Sequence, residues 1–244
     1  MKLSTIEYIG ARPRRKKKKK GLVSILCILA IGTVGVVTTV KFGTTQLFAK
    51  DATENKRLSP SEVISNKVPG ESVQNHFLET AIQRTTQNVS YDPAYYSIDY
   101  PMGDIPSKKG VCTDVIIRTY RSIGIDLQQK VHEDMQKNFD SYPKTWGLTS
   151  TDTNIDHRRV PNLRHFFGRN GKSLTISNLS TDYQYGDIVT WKLSHGASHI
   201  GIVVPSPFEN DSSPWIVHNV GAGPKWDNCL FDYEITGHYR YKLD

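Results

Sequence analysis

Three side chains in this 244-residue sequence could together perform nucleophilic chemistry: Cys112, His199 and His218. Cys112 lies in GVCTDVIIRTYRSIG, residues 110–124, where Val115, Ile116, Tyr120 and Ile123 recur at helical spacing and Gly124 supplies a stop. A cysteine in the first turn of a helix meets unpaired backbone N–H groups and the positive end of the helix dipole, which together favour a thiolate. His199 begins HIGIVV and His218 lies in WIVHNV, two short β-type runs. If these strands are neighbours, the imidazoles lie side by side at the helix mouth. His199 then exchanges a proton with Cys112, and His218 holds the other ring nitrogen of His199. That reading assumes that residues 112, 199 and 218 converge in space, which their spacing does not decide. The plainer roles stay open: packing for Cys112 and a hydrogen-bonded core position for His218. Asn219 is the alternative third member, but strand alternation puts it on the opposite face.

The elements that must position these groups change in character along the chain. Residues 71–90 predict a helix with Val73, Phe77, Ala81 and Ile82 on one face, and a second helix follows the cysteine helix near residues 127–139. Residues 91–110, rich in Tyr, Pro and Gly, read as an ordered loop, and residues 140–182 as mostly loop. The last third turns to GDIVTWKL, HIGIVV, WIVHNV and GHYRYKL, short β-rich runs punctuated by Gly, Pro, Asn and Ser. Helices first and strands afterwards predict an α+β domain, N-terminal helices packed on a small antiparallel sheet. Within the loop, DHRRV concentrates Asp156, Arg158 and Arg159. This is either a solvated Asp–Arg pair or a fork that grips a substrate carboxylate. Trp191 and Tyr100 either line a groove or fill core, and Asp187 reads as turn chemistry.

Charge is distributed unevenly. The formal net charge is +7, yet residues 1–41 hold ten Lys and Arg against the single acid Glu7, leaving a net −2 for the remainder. The basic pI therefore gives no basis for nucleic-acid binding by the domain. A lysine run abuts GLVSILCILAIGTVGVVTTV, residues 21–40, twenty positions without a charge. A helix of that length spans about 30 Å, the hydrocarbon thickness of a bilayer. The expected order is a cytoplasmic tail (1–20), a transmembrane signal anchor (21–40), a linker (41–70) and an extracytoplasmic domain (71–244). A cleaved signal peptide is the alternative, and it exports the domain equally. Export permits a Cys112–Cys229 disulfide, and the absence of a CxxC pair argues against structural zinc.

The ordered stretches YDPAY, GVCTDVIIR, HEDM, NIDHRRVPNL, GDIVTW, HIGIV, HNVGAG and TGHYRY span residues 91–241. With them the chain resembles the NlpC-type branch of the papain-like cysteine peptidases. It resembles most closely a bacterial branch known as the domain-of-unknown-function 1287 family. The resemblance implies a papain-like fold, Cys112 as nucleophile, His199 as general base and later acid, and His218 as the orienting residue. It also implies a peptidoglycan-peptide substrate and no metal or organic cofactor. Asp114, Asp156, Arg158, Arg159 and Trp191 are the candidate substrate-binding residues. One position departs from the pattern. Cell-wall endopeptidases of this type carry an aspartate immediately before the cysteine, where this chain has Val111. The nearest acid, Asp114, is then a candidate to cap the helix start or neutralise an arginine. The expected activity is amide hydrolysis through a thioester on Cys112. The alternatives are an N-acyl amidase or transpeptidase on the same scaffold, or a non-catalytic wall-binding module with Cys112 paired to Cys229.

Overall fold

The computed structural model describes residues 55–69 and 72–243. The basic tail, the apolar span at 21–40 and the first part of the expected linker lie outside the described residues. Among the described residues no helix is long and apolar enough to cross a membrane.

Residues 55–69, read above as the end of a linker, belong to the folded domain. Helix α1 (Pro60–Lys67) starts with a complete capping box: the Glu62 carboxylate accepts the Ser59 N–H at 2.7 Å, and Ser59 Oγ accepts the Glu62 N–H at 3.4 Å. Pro60 fits the first turn because its missing N–H has no intrahelical partner there. Leu58, Val63, Ile64 and Val68 are buried in the main core, so this segment is bound by apolar contact as well as by local geometry.

Helix α2 (Val73–Gln83) buries Phe77, Ala81 and Ile82 of the expected face and adds Leu78, while Val73, in its first turn, is exposed. Strands β1 (Ser90–Tyr91) and β2 (Lys109–Gly110) make a two-residue parallel pair that ties down the loop ahead of the cysteine. Helix α3 (Cys112–Ser122) is central: every residue from Cys112 to Tyr120 is buried, polar ones included. Gly124, with φ +78°, lets the chain turn out of it. Helix α4 (Leu127–Lys137) follows.

The stretch read as loop around residues 156–171 contains another helix, α5 (Val160–Asn170). Pro161 sits in its first turn, where proline is tolerated, and Val160, Leu163, Phe166 and Phe167 form its buried stripe. Strands β3 (Lys172–Ser173), β4 (Ile188–Lys192), β5 (Ser198–Pro205), β6 (Pro214–Asn219), β7 (Pro224–Asp227) and β8 (Glu234–Arg240) form one antiparallel sheet. Its order is β3-β8-β4-β5-β6-β7. One face carries Ile188, Ile200, Ile202, Val204 and Val217 into the core shared with the helices. The other face gathers Val189, Trp191, Val203 and Ile216 against Tyr183, Cys229 and Leu230.

Candidate active site

The two histidines meet as neighbours on adjacent strands. The last paired residues of β5 and β6 at this end are Gly201 and His218, which puts His199 diagonal to His218 on the same face. His199 Nε2 and His218 Nδ1 are 2.8 Å apart and share one hydrogen bond. Gly201 makes the approach possible: a Cβ there would stand 3.2 Å from the Cβ of His218 and 2.7 Å from Cγ2 of Ile216. Trp191, directly across from His199 on β4, backs the ring at a centroid distance of 5.9 Å.

Cys112 arrives from the other side of the sheet, at the first turn of α3. β5 extends through residues 198–200 beyond its pairing with β6, and the N–H of Ile200 faces the Cys112 sulfur, with the N–H groups of Thr113 and Cys112 itself. The thiol thus abuts the backbone of the residue after His199, with no direct hydrogen bond to the ring among the described residues. The three side chains are also closed off: Cys112 is 5% exposed, His199 1% and His218 3%.

Burial decides the charge states. It pushes the Cys112 thiol up to about 12, and the Asp114 carboxylate adds to this against the backbone N–H groups that favour a thiolate. The helix start favours a thiolate, as expected of it, but desolvation outweighs this contribution. Burial, and then the charge of His218, holds His199 well below its ordinary pKa. The resting pair is a neutral thiol and a neutral imidazole.

Behind His218 stand two groups that the sequence reading left out of the site. Cys229 Sγ and Asp227 Oδ2 each lie 3.6 Å from His218 Nε2. Cys112 and Cys229 are both free thiols, so the bridge expected of the binding-module alternative is not formed. Tyr91 is a further neighbour: burial and then the charges of Cys112 and Asp114 raise its phenol. Asn219, on the opposite face from His218, donates to the Gly110 carbonyl at 3.2 Å and braces the approach to Cys112.

Three of the five candidate substrate-binding residues, Asp114, Arg158 and Trp191, brace the site from within. Asp114 accepts the Val111 N–H at 2.7 Å, the capping role open to it in the sequence. Its carboxylate also meets Arg158 through two contacts, Nε–Oδ1 at 2.9 Å and Nη2–Oδ2 at 3.1 Å. The same guanidinium reaches the carbonyls of Ala94 and Asp92, and Thr113 Oγ1 donates to the Arg158 carbonyl. Arg158 is therefore committed to Asp114 and backbone, with no face left for a substrate carboxylate. YDPAY, GVCTD and DHRRV converge on this one ion pair. Asp156 is buried, accepts the Asp152 N–H, and lies 3.7 Å from Arg159. Arg159 lies over the Trp146 ring at 4.6 Å. Trp191 is buried and donates its indole N–H to the Leu230 carbonyl at 2.9 Å, so it fills core behind His199 rather than lining a groove. Asp187 holds Arg240 and His238 in a separate buried cluster.

Comparison with known proteins adds three findings. A family described as "Domain of unknown function (DUF1287)" matches residues 78–241. The uncharacterized protein YijF of Escherichia coli strain K12 is 50% identical over 161 residues, which is 66% of this chain and 78% of that protein. Among solved structures, a lipoprotein-like protein of the NLP/P60 family from Staphylococcus aureus superposes with a TM-score of 0.34 at 14% identity. That superposition covers 74% of this chain, which spans 46% of the length of that one.

Proposed function

The chain belongs to the DUF1287 family, and we propose that its folded domain is a cysteine hydrolase acting on an amide bond of bacterial peptidoglycan. One observation carries the reading: an imidazole pair joined at 2.8 Å, beside a cysteine that opens a helix and meets the backbone of the residue following the first imidazole. The ordered motifs and the exported arrangement read from the N-terminal sequence support the wall as substrate and the membrane as the site of attachment.

With His199 protonated on Nε2 and bonded to His218 Nδ1, its Nδ1 is the acceptor for the thiol proton. As that proton moves to Nδ1, Sγ attacks the carbonyl carbon and the oxygen takes the negative charge. The backbone N–H of Cys112 is a donor for this oxyanion. The C–N bond then breaks, the leaving amine takes the proton from His199, and a thioester remains. Water adds with its proton passing to His199, and the departing sulfur takes that proton back. Because the resting thiol is neutral, proton transfer and attack are coupled.

The burial of Cys112 favours a second reading, a wall-binding module that keeps the fold without turnover. One experiment separates them. Wild type and Cys112→Ala are incubated with purified peptidoglycan and the released fragments identified by mass spectrometry. Fragments that appear with wild type alone support the hydrolase and name the bond. Co-sedimentation of both proteins with the wall and no released fragment overturns it in favour of binding.

A further inference from the structure

A cavity of about 640 Å³ opens beside the C-terminal half of α3, lined by its Arg118, Arg121 and Ser122, and its wall is strongly cationic. Arg84, Lys108, Arg118 and Arg121 line it, with Asp104 as the carboxylate among them. Arg118 is already satisfied: it holds Asp104 through Nε at 2.9 Å and Nη2 at 3.0 Å and donates to the Lys109, Ile105 and Pro106 carbonyls. Arg121 is shared between Asp126 at 3.3 Å, the Gly103 carbonyl at 3.1 Å and a longer contact with Asp104 at 3.8 Å.

Arg84 is different. It stands at the C-terminal cap of α2, and its polar contact within the domain is a neutral one, Nη1 to Gln87 Oε1 at 3.2 Å. Its Nε is buried without a hydrogen-bond partner, and so is the Nε of Arg121. Burial, and then repulsion from Arg118, lowers its pKa. Arg84 and Arg121 are half-buried at the wall of a cavity where four basic side chains meet the single carboxylate of Asp104, an excess of positive charge that a bound anion would offset. The anion that suits this wall carries two or more oxygens, the shape a guanidinium fork fits.

We propose that this cavity is a binding site for an oxyanion, the carboxylate or phosphate group of a ligand, held chiefly by Arg84 with Lys108 and Arg121 around it. The site does not rest on the hydrolase reading, because an anion binds there whether or not Cys112 turns over. A second, very small pocket shares Arg84 and Arg118 with this cavity and is lined on its other side by Val111 and Asn219, the residues that brace the cysteine.

The test uses the full chain and two probes, inorganic phosphate and acetate, each titrated against chloride at matched ionic strength. Thermal unfolding and the ¹⁵N signals of the arginine Nε–H groups are followed. Saturable stabilisation above chloride, with the Arg84 Nε–H shifted on binding, is the expected result. Arg84→Gln should weaken the apparent affinity about tenfold or more, since a charge-assisted pair is removed. Lys108→Gln, at an exposed position, should weaken it less and leave stability in chloride unchanged. It keeps the test decisive if the arginine variant fails to fold. Stabilisation by phosphate alone assigns a phosphate-bearing ligand, and by acetate alone a carboxylate. No stabilisation beyond chloride, or stabilisation undiminished in both variants, overturns the site.

Discussion

Arg158 and Asp114 form a two-point ion pair in which the side chains are only 2% and 4% exposed. The pair lies 44 positions apart in sequence and clamps the first turn of α3, where Cys112 sits. Removing one partner of such a pair strands a buried charge, at a cost of about 3–5 kcal/mol. Arg158→Met should therefore lower unfolding stability by about that amount. Adding Asp114→Asn should restore part of it. Denaturant unfolding of both singles and the double measures the coupling. Additive losses would show that the two groups act independently.

The second prediction concerns the histidine chain and rests on the hydrolase reading. His218→Ala removes the acceptor that orients His199 and should lower kcat by about a hundredfold or more, leaving KM near its original value. Asp227 is one step further out, beside His218 Nε2. Asp227→Asn should cost only several-fold in kcat while shifting the acid limb of the pH–rate profile. A profile identical to wild type would remove Asp227 from the chain.

Stability should form a plateau across neutral pH. Burial holds His199 well below its ordinary pKa, and burial followed by Arg158 lowers His157 to about 3. The unfolded chain binds these protons first, so their contribution is complete above about pH 6.5 and is lost as pH falls below it. Cys112 and Cys229 are raised to about 12. Their contribution is complete below the unfolded value near 9 and is lost as pH rises from there towards 12. His157→Gln should make the acid limb of the denaturation profile shallower by about 1.4 kcal/mol per pH unit. An unchanged limb would mean that His157 is protonated in the folded state.

The fourth prediction separates a linker from a structural helix. Ile64→Ala should destabilise the domain by about 2–5 kcal/mol, as a buried truncation does. A solvated linker position would move stability by no more than about 0.5 kcal/mol. Thermal or denaturant unfolding distinguishes the two directly.

Much of the fold was legible where one period dominates. The stripe of α2, the helix opened by Cys112 and four β-rich runs all appear at their expected places. Two helices escaped for opposite reasons. The start of α1 is encoded in Ser59–Glu62, a local capping signal, but it lies in a polar stretch that follows the charge-free span at 21–40 and so reads as linker. α5 begins with proline and carries arginines, so its apolar stripe was diluted by residues typical of loops. DHRRV is a different case: charged residues in a short run read equally as solvated or substrate-facing. Only the fold could show that Asp114 and the Asp92–Ala94 backbone enclose Arg158.

By itself, the sequence determined which residues could do chemistry and the local elements carrying them. It put Cys112 at a helix start, where first-turn geometry follows from residue type, and His199 and His218 on strands whose period assigns faces. The tertiary structure decided everything that depends on pairing and burial. Strand register brought the imidazoles to 2.8 Å, and the missing Cβ of Gly201 allowed it. Enclosure of the sulfur overrode the helix dipole, because desolvation scales with surroundings that residue order does not state. The same enclosure turned three candidate binding residues into braces and left Arg84 with an unmet donor at the wall of a cationic cavity.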